Sequence, residues 1–178
     1  MKYSVVTYGE DVLRQKAVEV GEITDDIRKL AKDMLKCMYD AEGVGLAAEQ
    51  VGRREAICVI DVPRDAEYKS HAGRNDHVAM PLVLVNPVVR DPRGSMRKSE
   101  GCLSFPGLYC DITRAETVTV EWTDLEGHRQ EATVHGLLAR AVQHEVDHLG
   151  GTLMSDKLSP AQRLANAGRL RRIRSMAG

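Results

Sequence analysis

Two histidines four positions apart, His144 and His148, with Glu145 beside the first, make the run Gln143-His144-Glu145-Val146-Asp147-His148 a candidate metal site. On a helix, positions i and i+4 share a face about one turn apart, so both imidazoles can reach one divalent ion. Glu145 then stands near the ion's open position. A carboxylate there can exchange protons with water whose pKa the metal lowers from about 15.7 towards ~7. Paired His and Glu also occur on ordinary solvated helices. The rest of the chain must therefore supply a third ligand, a group that stabilises developing negative charge, and a pocket.

Metallopeptidases with this pattern take their third ligand downstream, as Glu or His. Here no Glu follows Glu145 and no His follows His148. The longer spacing HExxHxxGxxH is met through Gly151, but Met154 fills the last place, and a thioether replaces a zinc-binding imidazole poorly. Upstream, Glu100-Gly101-Cys102-Leu103-Ser104 offers a thiolate that would complete a Cys-His-His set and leave a fourth position open. A lone cysteine is more often a small buried hydrophobe. A third segment, Gly43-Val44-Gly45-Leu46-Ala47-Ala48-Glu49-Gln50, combines glycines that let a backbone approach a ligand with the amide donor of Gln50. Taken alone, that segment reads as a turn between helix and strand.

The elements that must position these groups follow from periodicity. Thr24-Asp25-Asp26 starts a helix, a hydroxyl cap followed by acids at the positive end of the dipole. Ile27, Leu30, Ala31, Met34, Leu35 and Met38 give that helix a buried face, and Gly43 is placed to end it. Ala56 to Asp61 and Leu82 to Val89, broken by Pro87, read as buried strands. Pro63 to Pro81 reads as a polar surface loop whose His71 and His77 are expected to be solvated. Thr117 to Trp122 and Arg129 to Val134 flank Asp124-Leu125-Glu126-Gly127, a hairpin signal. Leu137, Leu138, Ala141 and Val142 make residues 136–149 a core helix, so the two histidines fall on helix. Ser159-Pro160 opens a last helix, with Leu164, Ala167, Leu170 and Ile173 as its packed stripe. The expected fold class is α+β: antiparallel strands around a buried central helix that carries the histidines, plus an N-terminal and a C-terminal helix.

At 178 residues the chain is expected to form one domain that needs no disulfides. A net charge of −1 gives no global attraction to DNA or membrane, and no apolar stretch nears the ~20 residues that cross a bilayer. Charge is unevenly spread, however. No carboxylate side chain follows Asp156, while Lys157, Arg163, Arg169, Arg171, Arg172 and Arg174 are basic. The cysteines Cys37, Cys58, Cys102 and Cys110 form no CxxC pair, and the N-terminus lacks a signal-peptide core. A reducing cytoplasm is the expected compartment.

Taken together and in order, GVGLAAEQ, EGCLS and QHEVDHLGG resemble the three signature motifs of the peptide deformylase family, and the surrounding chain is similar to it from first residues to final helix. The resemblance implies a single catalytic domain over 1–178 that removes the formyl group from N-terminal formylmethionine of new bacterial or organellar polypeptides. It implies Cys102, His144 and His148 as metal ligands, with Fe2+ the usual ion and Zn2+, Ni2+ or Co2+ as substitutes. By the same resemblance Glu145 moves protons, while the Gln50 side-chain amide and the Leu103 backbone N–H stabilise the oxyanion. A narrow wall at Gly45 would admit formyl and exclude acetyl. Val44 and Leu137 are expected to line the methionine pocket. Arg140, one turn before His144, is expected either at the pocket rim or in solvent. The basic last helix is a candidate contact for ribosomal RNA, and a monomer suffices. Two other readings compete: a metallopeptidase, disfavoured by the missing downstream ligand, and a metal-stapled binding module with Cys110 as fourth ligand.

Overall fold

The computed structural model describes residues 3–177. Helix α1, Asp25–Asp40, opens as expected: Thr24 Oγ1 accepts from the Ile27 amide at 3.3 Å. It stops three residues before Gly43, because Glu42 takes the left-handed turn position at φ 56°. The reason for glycine at 43 lies elsewhere. A Cβ there would stand 2.6 Å from Leu103 Cδ1, so the absent side chain makes room for the Cys102 segment.

Five strands form one antiparallel sheet in the order β1-β2-β3-β6-β7. They are β1 Gly45–Ala47, β2 Ile57–Ile60, β3 Leu82–Arg93, β6 Thr117–Thr123 and β7 Arg129–His135. In β2, Ile57 and Val59 pack towards α1, while Cys58 and Ile60 join the cluster on the other face. Burial on both faces explains why this strand reads as an unbroken apolar run. Strand β3 continues past Val89 to Arg93. Pro87 is accommodated where the register shifts between Val85 and Val88, beside a left-handed Asn86. The β6–β7 turn is fixed by Asp124 Oδ1, which accepts from the amides of Glu126 and His128 at 3.0 and 2.8 Å.

Helix α2, Gly136–Leu149, lies across the sheet face opposite α1, with Leu138 and Val142 packed on Val118, Val120 and Val134. A separate two-stranded sheet, β4 Met96–Gly101 with β5 Tyr109–Arg114, delivers the Cys102 segment to that helix. The periodicity did not predict this hairpin. The C-terminal helix also departs from expectation, since it splits into α3, Pro160–Ala165, and α4, Ala167–Arg174. Asn166 Nδ2 bonds Gln162 O at 2.8 Å and reaches Cys110 Sγ at 3.7 Å, so the side chain competes with the helical ladder at the break. Leu164 consequently projects into solvent, while Leu170 and Ile173 pack with Leu13, Phe105 and Ile112.

Residues 63–81 run over the surface with two short 3-10 turns, and His77 is exposed as expected. His71 is not. It is 2% exposed, with Nε2 2.7 Å from Glu116 Oε1 and Nδ1 2.9 Å from Ser70 Oγ. Polar partners at both ring nitrogens make burial tolerable. The observed architecture is the predicted α+β class, and no helix among the described residues is long and apolar enough to cross a membrane.

Candidate metal centre

The buried face of α2 carries His144, Glu145 and His148. His148 Nε2 stands 3.2 Å from His144 Nε2 and 3.3 Å from Cys102 Sγ, which enters from the turn after β4. Ligand atoms held at ~2.0–2.3 Å from one tetrahedral ion would sit roughly 3.3–3.8 Å apart. The three donor atoms, all within 4.8 Å of one another, therefore match a shared ion. Their chemistry matches too: one thiolate and two imidazoles with converging lone pairs suit several first-row divalent metals. Burial, and then the charge of a protonated His144, lower the His148 pKa well below the usual imidazole range. For His144 burial is outweighed by Cys102 and Glu100, which raise its pKa, so metal binding would release the His144 proton.

Orientation of the ligands is built into the hairpin. Glu100 Oε1 accepts from His144 Nδ1 at 2.7 Å, which leaves Nε2 as the coordinating atom. The same carboxylate is gripped by Arg114 through two 2.7 Å bonds and by Arg140 at 2.9 Å. Burial alone would raise the Glu100 pKa, but Arg114 and His144 bring it far below the usual carboxylate range. Arg114 also bonds Asp147 Oδ2 at 2.8 Å, so it ties the hairpin to the helix. Sequence reasoning gave none of Glu100, Arg114 and Asp147 a role, although Glu100 and Asp147 lie inside the quoted motifs. Glu100, two residues before Cys102, and Asp147, beside His148, were the signal; nothing in the sequence marked Arg114.

Gln50 is buried, and its amide is oriented by neighbours. Oε1 accepts from the Ala47 amide at 2.9 Å, which turns Nε2 towards Ser104 Oγ at 3.1 Å and Cys102 Sγ at 3.5 Å. Glu145 is 4% exposed with Oε2 lacking a hydrogen-bond partner, and burial pushes its carboxyl up to about 7. Its other oxygen, Oε1, occupies the space over Gly45 where a methyl group would collide with it. Glycine at 45 is thus required first by Glu145.

These groups face a cleft of about 370 Å³, mostly apolar, that Val44, Leu103 and Leu137 also line. Arg140 lies in its wall, yet only 2% exposed: it is neither a rim residue nor solvated, being held by the carbonyls of Met96, Lys98 and Ile112 as well as Glu100. Residues 43–45 and 99–101 both line the cleft, and among the described residues β1 and β4 each pair with a strand along one edge. Cys110 takes no part; it is buried in the cluster under α4, and among the described residues the ligand group consists of Cys102, His144 and His148. The four-ligand structural site is thereby disfavoured.

Comparison with known proteins agrees with this geometry. A family model described as Polypeptide deformylase matches residues 2–164. The chain is 43% identical over 159 residues to a peptide deformylase of Alkalilimnicola ehrlichii, covering 89% of this chain and 83% of that one. It is 44% identical over 157 residues to that of Endomicrobium trichonymphae, covering 88% and 86%. Among solved structures, the peptide deformylase of Thermus thermophilus superposes with a TM-score of 0.85 at 37% identity, covering 99% of this chain and 100% of that one. A Synechococcus elongatus peptide deformylase in complex with actinonin gives 0.82 at 40% identity, covering 96% and 86%. With its cysteine and two histidines converging as they do, the chain belongs to the polypeptide deformylase family.

Proposed function

We propose that this chain is a metal-dependent hydrolase that removes the formyl group from the N-terminal formylmethionine of newly made polypeptides. The observation that carries the reading is the convergence of Cys102 Sγ and the Nε2 atoms of His144 and His148 beside a buried Glu145. Cys102, His144 and His148 would hold one divalent ion, which supplies Lewis acidity to a water and to the formyl carbonyl. Fe2+ is the ion we assign, and Zn2+, Ni2+ or Co2+ suits the same donors.

The chain's own groups do the rest. Glu145, its carboxyl near neutrality, takes a proton from the attacking water and delivers it to the departing amine. As the formyl oxygen gains charge, Gln50 Nε2 and the Leu103 N–H donate to it; one such donor is typically worth ~10²–10³ in rate. Gln50 is suited to this because Ala47 fixes its carbonyl end. In this reading Gly45 forms a narrow wall beside the formyl carbon that admits its hydrogen and excludes an acetyl methyl, while the missing side chain at 45 also makes way for Glu145. Val44 and Leu137 receive the methionine side chain in the cleft.

The whole of residues 1–178 acts in this proposal as one catalytic domain and as a monomer, in a bacterial cytoplasm by default, with an organellar origin left open. The exposed Arg169, Arg171, Arg172 and Arg174 offer a contact to ribosomal RNA, where formylated chains emerge.

The test combines metal analysis with paired substrates. The purified protein should hydrolyse formyl-Met-Ala-Ser and leave acetyl-Met-Ala-Ser intact. Glu145→Gln should keep the metal and lose about 10²–10⁴ in kcat. Comparable rates on both peptides, or an active Glu145→Gln variant, would reject the mechanism.

A further inference from the structure

Helix α2 is capped from a distance. Its own N-cap residue, His135, makes no side-chain cap bond, which leaves the first amides of the helix to other partners. One partner is Glu67, from the 63–81 segment, whose Oε1 accepts from the Leu138 amide at 3.0 Å. A carboxylate there also faces the positive end of the helix dipole. Asn75 of the same segment bonds both backbone groups of His135, Nδ2 to its carbonyl and Oδ1 to its amide, each at 2.9 Å. His71 completes the attachment. Gly136 has φ +59°, and a Cβ on it would lie 2.8 Å from His71 Cγ and 2.9 Å from Glu67 Oε2. Glu67 and Asn75 of one surface segment thus hold positions 138 and 135, and His71 packs closely against Gly136 between them.

Residue 137 sits between them, and Leu137 is the cleft-lining side chain of that turn. His144 and Asp147 lie about two turns and more further along, where Glu100 holds the first and Arg114 the second. From Arg140 onward α2 is held by the β4–β5 hairpin, whereas its first turn takes bonds from the 63–81 segment. We propose that Glu67 is a positioning residue: by capping α2 from the 63–81 segment it sets where Leu137 stands in the cleft, and so sets selectivity for the substrate's first side chain while leaving the metal end untouched. This rests on the reading that Leu137 receives the methionine side chain.

Metal-loaded Glu67→Ala, Glu67→Gln and Leu137→Ala are compared with the parent on formyl-Met-Ala-Ser and formyl-Leu-Ala-Ser, with metal content measured alongside. Glu67→Ala should raise KM for the methionine peptide roughly 5- to 20-fold, as a displaced Leu137 loses apolar contact with the substrate's first side chain. It should also narrow the preference over leucine, with kcat within about threefold and metal stoichiometry unchanged. Glu67→Gln, whose amide oxygen can still accept from Leu138, should restore KM to within about twofold. An unchanged KM in Glu67→Ala overturns the proposal. So does a joint fall of kcat and metal content that glutamine does not rescue. Leu137→Ala separates the layers: no KM change there removes the pocket reading, whereas a change there without one in Glu67→Ala removes the capping role alone. Should Glu67→Ala fail to fold, Asn75→Ala, which loses both bonds to His135, must show the same KM rise.

Discussion

Glu49 lies in the glycine-rich segment, one residue before Gln50, and is fully buried with neither carboxylate oxygen hydrogen-bonded. Burial, reinforced by the nearby Glu145, pushes its carboxyl up to about 8; Arg54 opposes this and Glu55 adds to it. The folded protein therefore binds this proton more tightly than the unfolded chain, whose glutamates titrate near 4.5. Stability owed to Glu49 is complete below pH ~4.5 and is lost as pH rises towards 8. A shift of this size corresponds to roughly 3–5 kcal/mol at most. Glu49→Gln should accordingly raise the urea midpoint at pH 8 and change it little at pH 4.5; equal midpoints for both proteins across that range would show the carboxyl to be charged and solvated. Glu49 illustrates a limit of sequence reading at this scale. Cys102, His144, His148 and Glu145 could be recognised because coordination and proton transfer demand those residue types at those spacings. Nothing in the letters around Glu49 states that its surroundings are apolar, since that depends on how α2 packs over β1 and β2.

Among the elements, α1, α2, β2 and the β6–β7 hairpin were legible because each buries a regular apolar face. The β4–β5 hairpin was not. Strand β4 has no fully buried residue, so it carries no apolar period at all. Strand β5 alternates exposed and buried positions, but the buried set is Cys110, Ile112 and Arg114, and the arginine disguises the pattern. Arg114 is there because the hairpin must hold Glu100 against His144. The end of β3 was missed for a related reason: Arg90 to Arg93 are all exposed and carry no apolar signal. Truncating Arg114 to Ala would leave Glu100 with Arg140 as its remaining arginine partner. Such a break in a buried ion pair costs about 3–5 kcal/mol, and loosening a group behind a ligand histidine weakens metal binding ~10–100-fold. Zinc-loaded Arg114→Ala should therefore surrender its ion to a chelator at correspondingly lower concentration. Arg114→Lys should not restore retention, because an ammonium cannot grip Glu100 with two parallel bonds and reach Asp147 as well. Identical chelator titrations for parent and Arg114→Ala would detach the hairpin from the metal's affinity.

Across the whole molecule, the near-neutral total hides a basic end. Arg169, Arg171, Arg172 and Arg174 are all exposed on α4, while Leu170 and Ile173 of the same helix are buried. Removing the helix would damage the core, so the ribosome contact is better tested by charge. Replacing the four arginines by glutamine should weaken co-sedimentation with ribosomes by roughly tenfold or more at low salt, with a shallower salt dependence. Deformylation of a short peptide should be unaffected, and undiminished co-sedimentation at low salt would dispose of the contact.

The cleft's mouth has a further implication for timing. A passage lined by residues of two strands that each pair along one edge suits a ribbon of main chain better than a coil or a compact turn. A newborn protein must therefore present its first residues unwound, and once they settle into their own structure the blocking group is out of reach. Processing is expected in the interval before the beginning of the client has folded.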